Sequence, residues 1–199
     1  MKNLWQGIRT ALLRAKIPIL SVALTYTFAV STGIFMVHSG NKFALSYRDK
    51  LVSKAQTGYV LTRKSQLHQG LADFGGNLFG SCTDTFLGFG IILPYPMVIY
   101  RGWVGGIVSV GTDHSSRLTK PSQAIYYFSV LFLQLLGYSL AAGAGINMGL
   151  SVFRHMPKNA GMFWYKVPKE AIYDTLKIYI LIVPIFLIAS LWEFLSPLN

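Results

Sequence analysis

The chain has 199 residues, 52% hydrophobic and 13% charged, with 18 Lys and Arg against 7 Asp and Glu, a formal charge of +11. Soluble domains carry about 25% charged residues, so the composition argues against a soluble enzyme or binding module and for an all-α, polytopic transmembrane helix bundle. The basic residues flank long apolar runs, which assigns them to anionic lipid headgroups, at roughly 1 kcal/mol per well-placed cation, and not to nucleic acid.

Residues 1–16, MKNLWQGIRTALLRAK, predict a basic interfacial helix. Leu4, Trp5, Ile8, Ala11, Leu12 and Ala15 recur at three- and four-residue spacing, with Trp5 at headgroup level and Arg9, Arg14 and Lys16 near phosphates. Ile17 to His38 follows as the first span, 22 residues without Lys, Arg or an acid, and Pro18 falls in its first turn. Its length suits a retained anchor better than a cleaved signal peptide.

Residues 39–70 predict an amphipathic extramembrane segment. Phe43, Tyr47, Leu51, Ala55 and Tyr59 repeat every four positions, with Arg48, Asp49, Lys50 and Lys54 mostly off that line. Arg63 and Lys64 mark a basic turn.

Residues 71–111 predict a glycine-rich, polar membrane hairpin. In its first arm, Asp73, Asn77, Ser81, Asp84 and Gly88 are separated by 4, 4, 3 and 4 positions, which aligns them on one helix face. Ionisable groups inside a membrane are costly unless they are paired or face a cavity, so this face should meet other helices, water or a partner. Cys82, the only cysteine, reads as a small buried residue and excludes an intrachain disulfide. Pro94 and Pro96 break the helix. The stretch to Gly111 is a short or broken third span, or it enters and returns on one side. Tyr100, Arg101 and Trp103 suit a headgroup cluster; if Arg101 is buried instead, Asp84 is its countercharge. Gly102 and Gly106, four apart, provide a smooth surface for close helix packing.

The polar segment TDHSSRLTK places Asp113 and His114 beside serines, without a nucleophile elbow or metal spacing. A further span lies at roughly Ile125 to Ile146. Gln134, Tyr138, Ala141 and Gly145 share one of its faces, the natural mate of the Asp73–Asp84 face. Residues 151–174 form a basic connector in which Phe163, Trp164 and Tyr165 precede Lys166, a membrane-surface pattern. His155 reads as a boundary residue. Thr175 to Leu195 is the last span, bent at Pro184. The count is about five spans, with four plus a re-entrant segment as the alternative. Positive-inside reasoning puts residues 1–16 and 151–174 in the cytoplasm, against the basic 42–64 region.

Several of these stretches together resemble the stage II sporulation protein M family of integral membrane proteins. They are Asn77-Leu78-Phe79, Thr85 to Gly90, Pro94, Arg101-Gly102-Trp103-Val104-Gly105-Gly106, Pro121 and the glycine-rich end of the Gln134–Gly149 helix. Arg101-Gly102 stands where family members carry Asn-Gly; Pro121-Ser122-Gln123 and Gln134 stand where many carry Pro-His-Gly and an acid. The resemblance implies a scaffold in the bacterial cytoplasmic membrane, which in sporulating bacteria localises peptidoglycan-degrading partners during engulfment. It implies no catalytic residues.

The expectation is therefore a noncatalytic scaffold or accessory subunit without cofactor or metal. It would contact lipids and other integral membrane proteins, or copies of itself, through glycine-rich and polar helix faces. Asp73, Asn77, Asp84, Arg101, Gly102, Gly106, Gln134, Tyr138 and Gly145 are the structural or partner-contact candidates. The alternative is a transporter or channel subunit with a polar pathway near Asp84 and Arg101.

Overall fold

A computed structural model of the chain describes residues 2–62, 65–111, 113–154 and 167–196, with residues 2 and 54–62 described through their backbone alone. The described residues form an all-α bundle: α1 (Lys2–His38), α2 (Lys42–Thr62), α3 (Gln66–Gly88), α4 (Pro94–Ile107), a 3₁₀ turn (Arg117–Thr119), α5 (Pro121–Arg154) and α6 (Lys169–Leu195). The basic turn at Arg63 and Lys64, His155 and the Phe163–Lys166 cluster lie outside the described residues.

Three helices, α1, α5 and α6, are long and apolar enough to cross a membrane. In the most apolar window of α5, 61% of residues are buried, against 28% in α1 and in α6. Thus α5 is the inner helix, and α1, α3 and α6 pack against it. Side chains exposed on α1 include Leu20, Leu24, Phe28 and Phe35. Spacings of three to four place large apolar groups on an outward stripe, a surface suited to lipid.

The N-terminal part differs from its expectation. No break separates residues 2–16 from the first apolar run, and α1 passes through Pro18 without ending. Ile8, Ala11 and Ala15 are buried, which continues the inward line of Val22 and Tyr26. Arg14 is engaged by protein: its Nη1 donates to Asp174 Oδ2 at 2.9 Å and lies 3.6 Å from Glu170. A continuous buried stripe and an ion pair to α6 make this stretch part of the bundle.

The contacts fix helix directions. Gly102 and Gly106 of α4 meet Tyr26 and Gly33 of α1 in ascending order, so α1 and α4 are parallel. Asn77, Thr85 and Phe89 meet Tyr138, Gly145 and Gly149, so α3 and α5 are parallel. Gly137 faces Phe186 and Gln134 faces Glu193, so α5 and α6 are antiparallel. The α3–α4 turn carries Ile91 at φ 62°, a left-handed conformation that is strained for a β-branched residue. Ile91 packs against the main core there.

In α2, Tyr47 and Leu51 of the expected apolar line pack against the bundle, while Arg48 departs from its expected outward position. Among the described side chains of α2, Ala44 and Arg48 are the buried ones, and Phe43 is exposed. Buried Arg48 donates through Nη2 to Val110 O at 3.1 Å and through Nη1 to Asp49 Oδ1 at 3.0 Å. An arginine takes the inward position because the last turn of α4 and its following loop present a carbonyl there. Val37, Ala44, Ile107 and Val110 form the small apolar cluster under α2.

Candidate functional site

The polar face of α3 comes together with α4, α5 and α6 as a set of fasteners. Asp73 Oδ2 accepts from Ser190 Oγ and from Asn77 Nδ2, each at 2.7 Å. Tyr138 Oη donates to Asn77 Oδ1 at 2.6 Å. Thr85 Oγ1 donates to Ala141 O at 2.9 Å. The Thr85 hydroxyl has one proton, so Tyr179 Oη, 2.8 Å away, donates to it. Every bond spans two helices except Asn77–Asp73, and together they tie α3 to α5 and α6. Ser81 and Thr85 hold the inward positions, which turns Cys82 outward; it is exposed, contrary to its reading as a buried residue.

Arg101 is the countercharge of Asp84. Its Nη1 donates to Asp84 Oδ2, and its guanidinium lies 4.2 Å from the centre of the Tyr138 ring. Asp84 is fully buried, and the Arg101 side chain is 19% exposed. An ion pair and a cation–π contact together offset the cost of placing a guanidinium among apolar helices. A methyl group on Gly80 would fall 2.9 Å from Arg101 Nη2, so the small residue at position 80 makes the room. Asp84 Oδ1 has no hydrogen-bond partner among the described residues.

The glycine candidates serve contacts within the chain. A methyl on Gly145 would fall 2.8 Å from the Thr85 backbone. One on Gly102 would fall 2.7 Å from the Tyr26 carbonyl oxygen, and one on Gly106 would fall 2.8 Å from Gly33 Cα. Real Cβ atoms do not approach backbone so closely, so these glycines set the spacing of α3 on α5 and of α4 on α1.

Above the ion pair lies a cavity of about 460 Å³ between α4, α5 and the end of α6. Arg101, Tyr138, Tyr126 and Arg117, the last from the 3₁₀ turn, are among its lining residues. Tyr26, Tyr100 and Tyr127 contribute further rings, and Gln134 and Glu193 contribute a polar wall. Gln134 Nε2 lies 3.4 Å from Glu193 Oε2, so Gln134 turns to α6 rather than α3. An apolar groove of about 310 Å³ between α1 and α5 shares Tyr26 and Leu131 with this cavity.

The sequence reading missed Tyr26, Tyr127, Arg117 and Glu193 as site residues. One signal was present: Tyr127, Leu131, Gln134 and Tyr138 continue the spacing 4, 3, 4 of the α5 face backwards. The others converge from distant segments and share no spacing.

At the rim of the bundle, His114 Nε2 donates to Asp49, 3.0 Å from both carboxylate oxygens. The hydrogen bonds from Arg48 and His114 hold the Asp49 carboxyl below its ordinary range. Asp113 accepts from Ser115 Oγ at 2.7 Å, which likewise lowers it. Asp113 and His114 therefore face different partners. The chain matches no family model, no curated protein and no solved structure at a level from which relatedness follows.

Proposed function

We propose that the chain is a noncatalytic integral membrane scaffold or accessory subunit of a multiprotein membrane complex. The observation that carries this reading is the mutual engagement of its intramembrane polar groups. Asp73, Asn77, Asp84, Arg101, Gln134 and Tyr138 all have partners within the chain. Polar fasteners and backbone-close glycine contacts make a rigid body whose outer surface is left for lipid and partners. In this proposal Asp73, Asn77 and the glycines shape that body rather than touching the partner themselves.

The proposed topology has five membrane segments, α1, α3, α4, α5 and α6. Its support is the alternation of helix direction, in which each of these segments runs opposite to its predecessor. At 14 residues α4 is roughly 21 Å long, shorter than a bilayer core of about 30 Å. It would cross with the help of its flanking residues and local thinning. The basic stretches 1–16 and 151–174 would then be cytoplasmic, with α2 on the opposite face. The residues that carry the resemblance to the stage II sporulation protein M family build the α3–α4 hairpin and its α5 contact. A scaffold role in a bacterial cytoplasmic membrane accords with it.

Gentle solubilisation of the full chain, followed by sizing and identification of stoichiometric companions, tests the proposal. A reproducible complex is expected. Recovery solely as a free monomer, under conditions that preserve other membrane complexes, contradicts it.

A second reading, a transporter or channel subunit, is favoured by one feature: the cavity that reaches Arg101. Reconstitution in vesicles with wild type, Asp84→Asn and Arg101→Gln tests it. Flux that vanishes in folded variants supports this reading, and absent flux in the wild type defeats it.

A further inference from the structure

We infer that the tyrosine-lined cavity binds the zwitterionic headgroup of a phospholipid bearing a phosphate and an ammonium, with an acyl chain in the adjoining α1–α5 groove. The site goes beyond the scaffold reading, because it would hold lipid whether or not the chain has protein partners.

The charges lining the cavity select the headgroup. Arg101 is balanced by Asp84 and makes one hydrogen bond to it, so other N–H groups of the guanidinium are left for an anion. Arg117 is exposed and has no acidic partner among the described residues. Two arginines present planar donor forks that suit phosphate oxygens. A purely anionic headgroup, however, would lie against Glu193 on the same wall. A purely cationic one would lie against Arg101 and Arg117. A headgroup with both signs places phosphate on the arginines and ammonium between Glu193 and the tyrosine rings, whose faces attract cations.

The shape supplies the rest of the ligand. Tyr26 and Leu131 are walls of both the polar cavity and the apolar groove. Tyr26, whose hydroxyl has no hydrogen-bond partner among the described residues, therefore faces both compartments. The groove continues along Val30, Leu135 and Phe132. Phe128 and Phe132 are about half exposed, so the groove opens on the outer surface of the bundle. A polar chamber joined to a lateral apolar groove fits an amphiphile better than a wholly soluble ligand.

The test uses the purified full chain in a neutral detergent, with thermal unfolding as the readout. The probes are phosphatidylethanolamine, phosphatidylglycerol with the same acyl chains, and water-soluble phosphoethanolamine. Saturable stabilisation by phosphatidylethanolamine is expected, with an apparent affinity about tenfold or more above that of the other two. Arg117→Gln and Glu193→Gln should each weaken that affinity by about tenfold, the loss of one charge-assisted contact. Arg117 is exposed, so Arg117→Gln keeps the test meaningful if Glu193→Gln does not fold. Leu131→Trp, which fills the shared wall, should abolish the advantage of the lipid over phosphoethanolamine. Equal stabilisation by the two lipids, undiminished binding in Arg117→Gln, or no saturable effect in the wild type would each overturn the inference. If phosphoethanolamine alone matches the lipid, the acyl groove has no part and the inference fails as stated. None of these outcomes depends on recovery of a protein partner, so the scaffold reading stands or falls separately.

Discussion

Two polar regions inside the same bundle differ in how they are closed. Around Asp73, Asn77, Ser190 and Tyr138, each side chain meets another at 2.6–2.7 Å. Around Arg101, Arg117, Gln134 and Glu193, comparable polarity lines about 460 Å³ of space. The first arrangement fastens helices; in our proposal the second receives a ligand. Tyr138 belongs to both, with its hydroxyl on Asn77 and its ring under Arg101. Polarity between apolar helices alone therefore does not identify a pathway, and the partner of each polar atom decides its role.

Substitutions should separate the two regions by size of effect. The largest is expected for Asp84→Asn, which leaves Arg101 without its countercharge and should lower unfolding free energy by about 3–5 kcal/mol. Chemical denaturation in detergent measures it, and a loss below about 1 kcal/mol would show that the pair is solvated. Next, Gly145→Leu should cost about 1–3 kcal/mol by pushing α5 from the Thr85 backbone. Gly76→Leu is the control, since nothing lies within 4 Å of a methyl placed there; equal melting losses for the two would refute the packing account.

Tyr138→Phe removes one hydrogen bond from the closed network and should cost about 0.5–1.5 kcal/mol. Asn77→Ala added to it should then cost less than Asn77→Ala alone, the remaining loss being the bond from Asn77 to Asp73. Fully additive losses would place the two residues in separate networks.

The smallest effect concerns pH at the α2 rim. Asp49 is held below its ordinary range by Arg48 and His114. A depressed carboxyl contributes stability above its unfolded-state value and loses it as pH falls through the folded value. Hydrogen exchange should show α2 protected at mildly acidic pH and loosened only at or below the ordinary aspartate range. Loss of protection well above that range would contradict the assignment.

The polar face of α3 was legible because helical spacing placed Asp73, Asn77, Ser81 and Asp84 in one line. The cost of unpaired polar groups among apolar helices pointed to the mating with Tyr138, and it offered Asp84 as the partner of Arg101 on the condition that Arg101 is buried, beside the alternative of a headgroup cluster. Arg48 was misplaced because a charge is read as outward by default, and its carbonyl acceptor at Val110 lies 62 positions away. Cys82 was misplaced because small size carries no directional signal, while Ser81 and Thr85 beside it took the inward positions. The cavity was illegible for a topological reason: Tyr26, Arg117 and Glu193 reach it from α1, a 3₁₀ turn and α6. A helix face can be read from spacing; a chamber between elements needs their mutual placement.

A double-mutant cycle on Asp84 and Arg101, followed by denaturation and by vesicle flux, tests most directly whether the buried polar groups fasten the bundle. The structural account predicts that Asp84→Asn and Arg101→Gln are each strongly destabilising. It also predicts that the double variant loses clearly less than their sum, because neither charge is then left alone. Single variants that unfold like the wild type while abolishing a measurable ion flux would contradict it and make the pair part of a pathway.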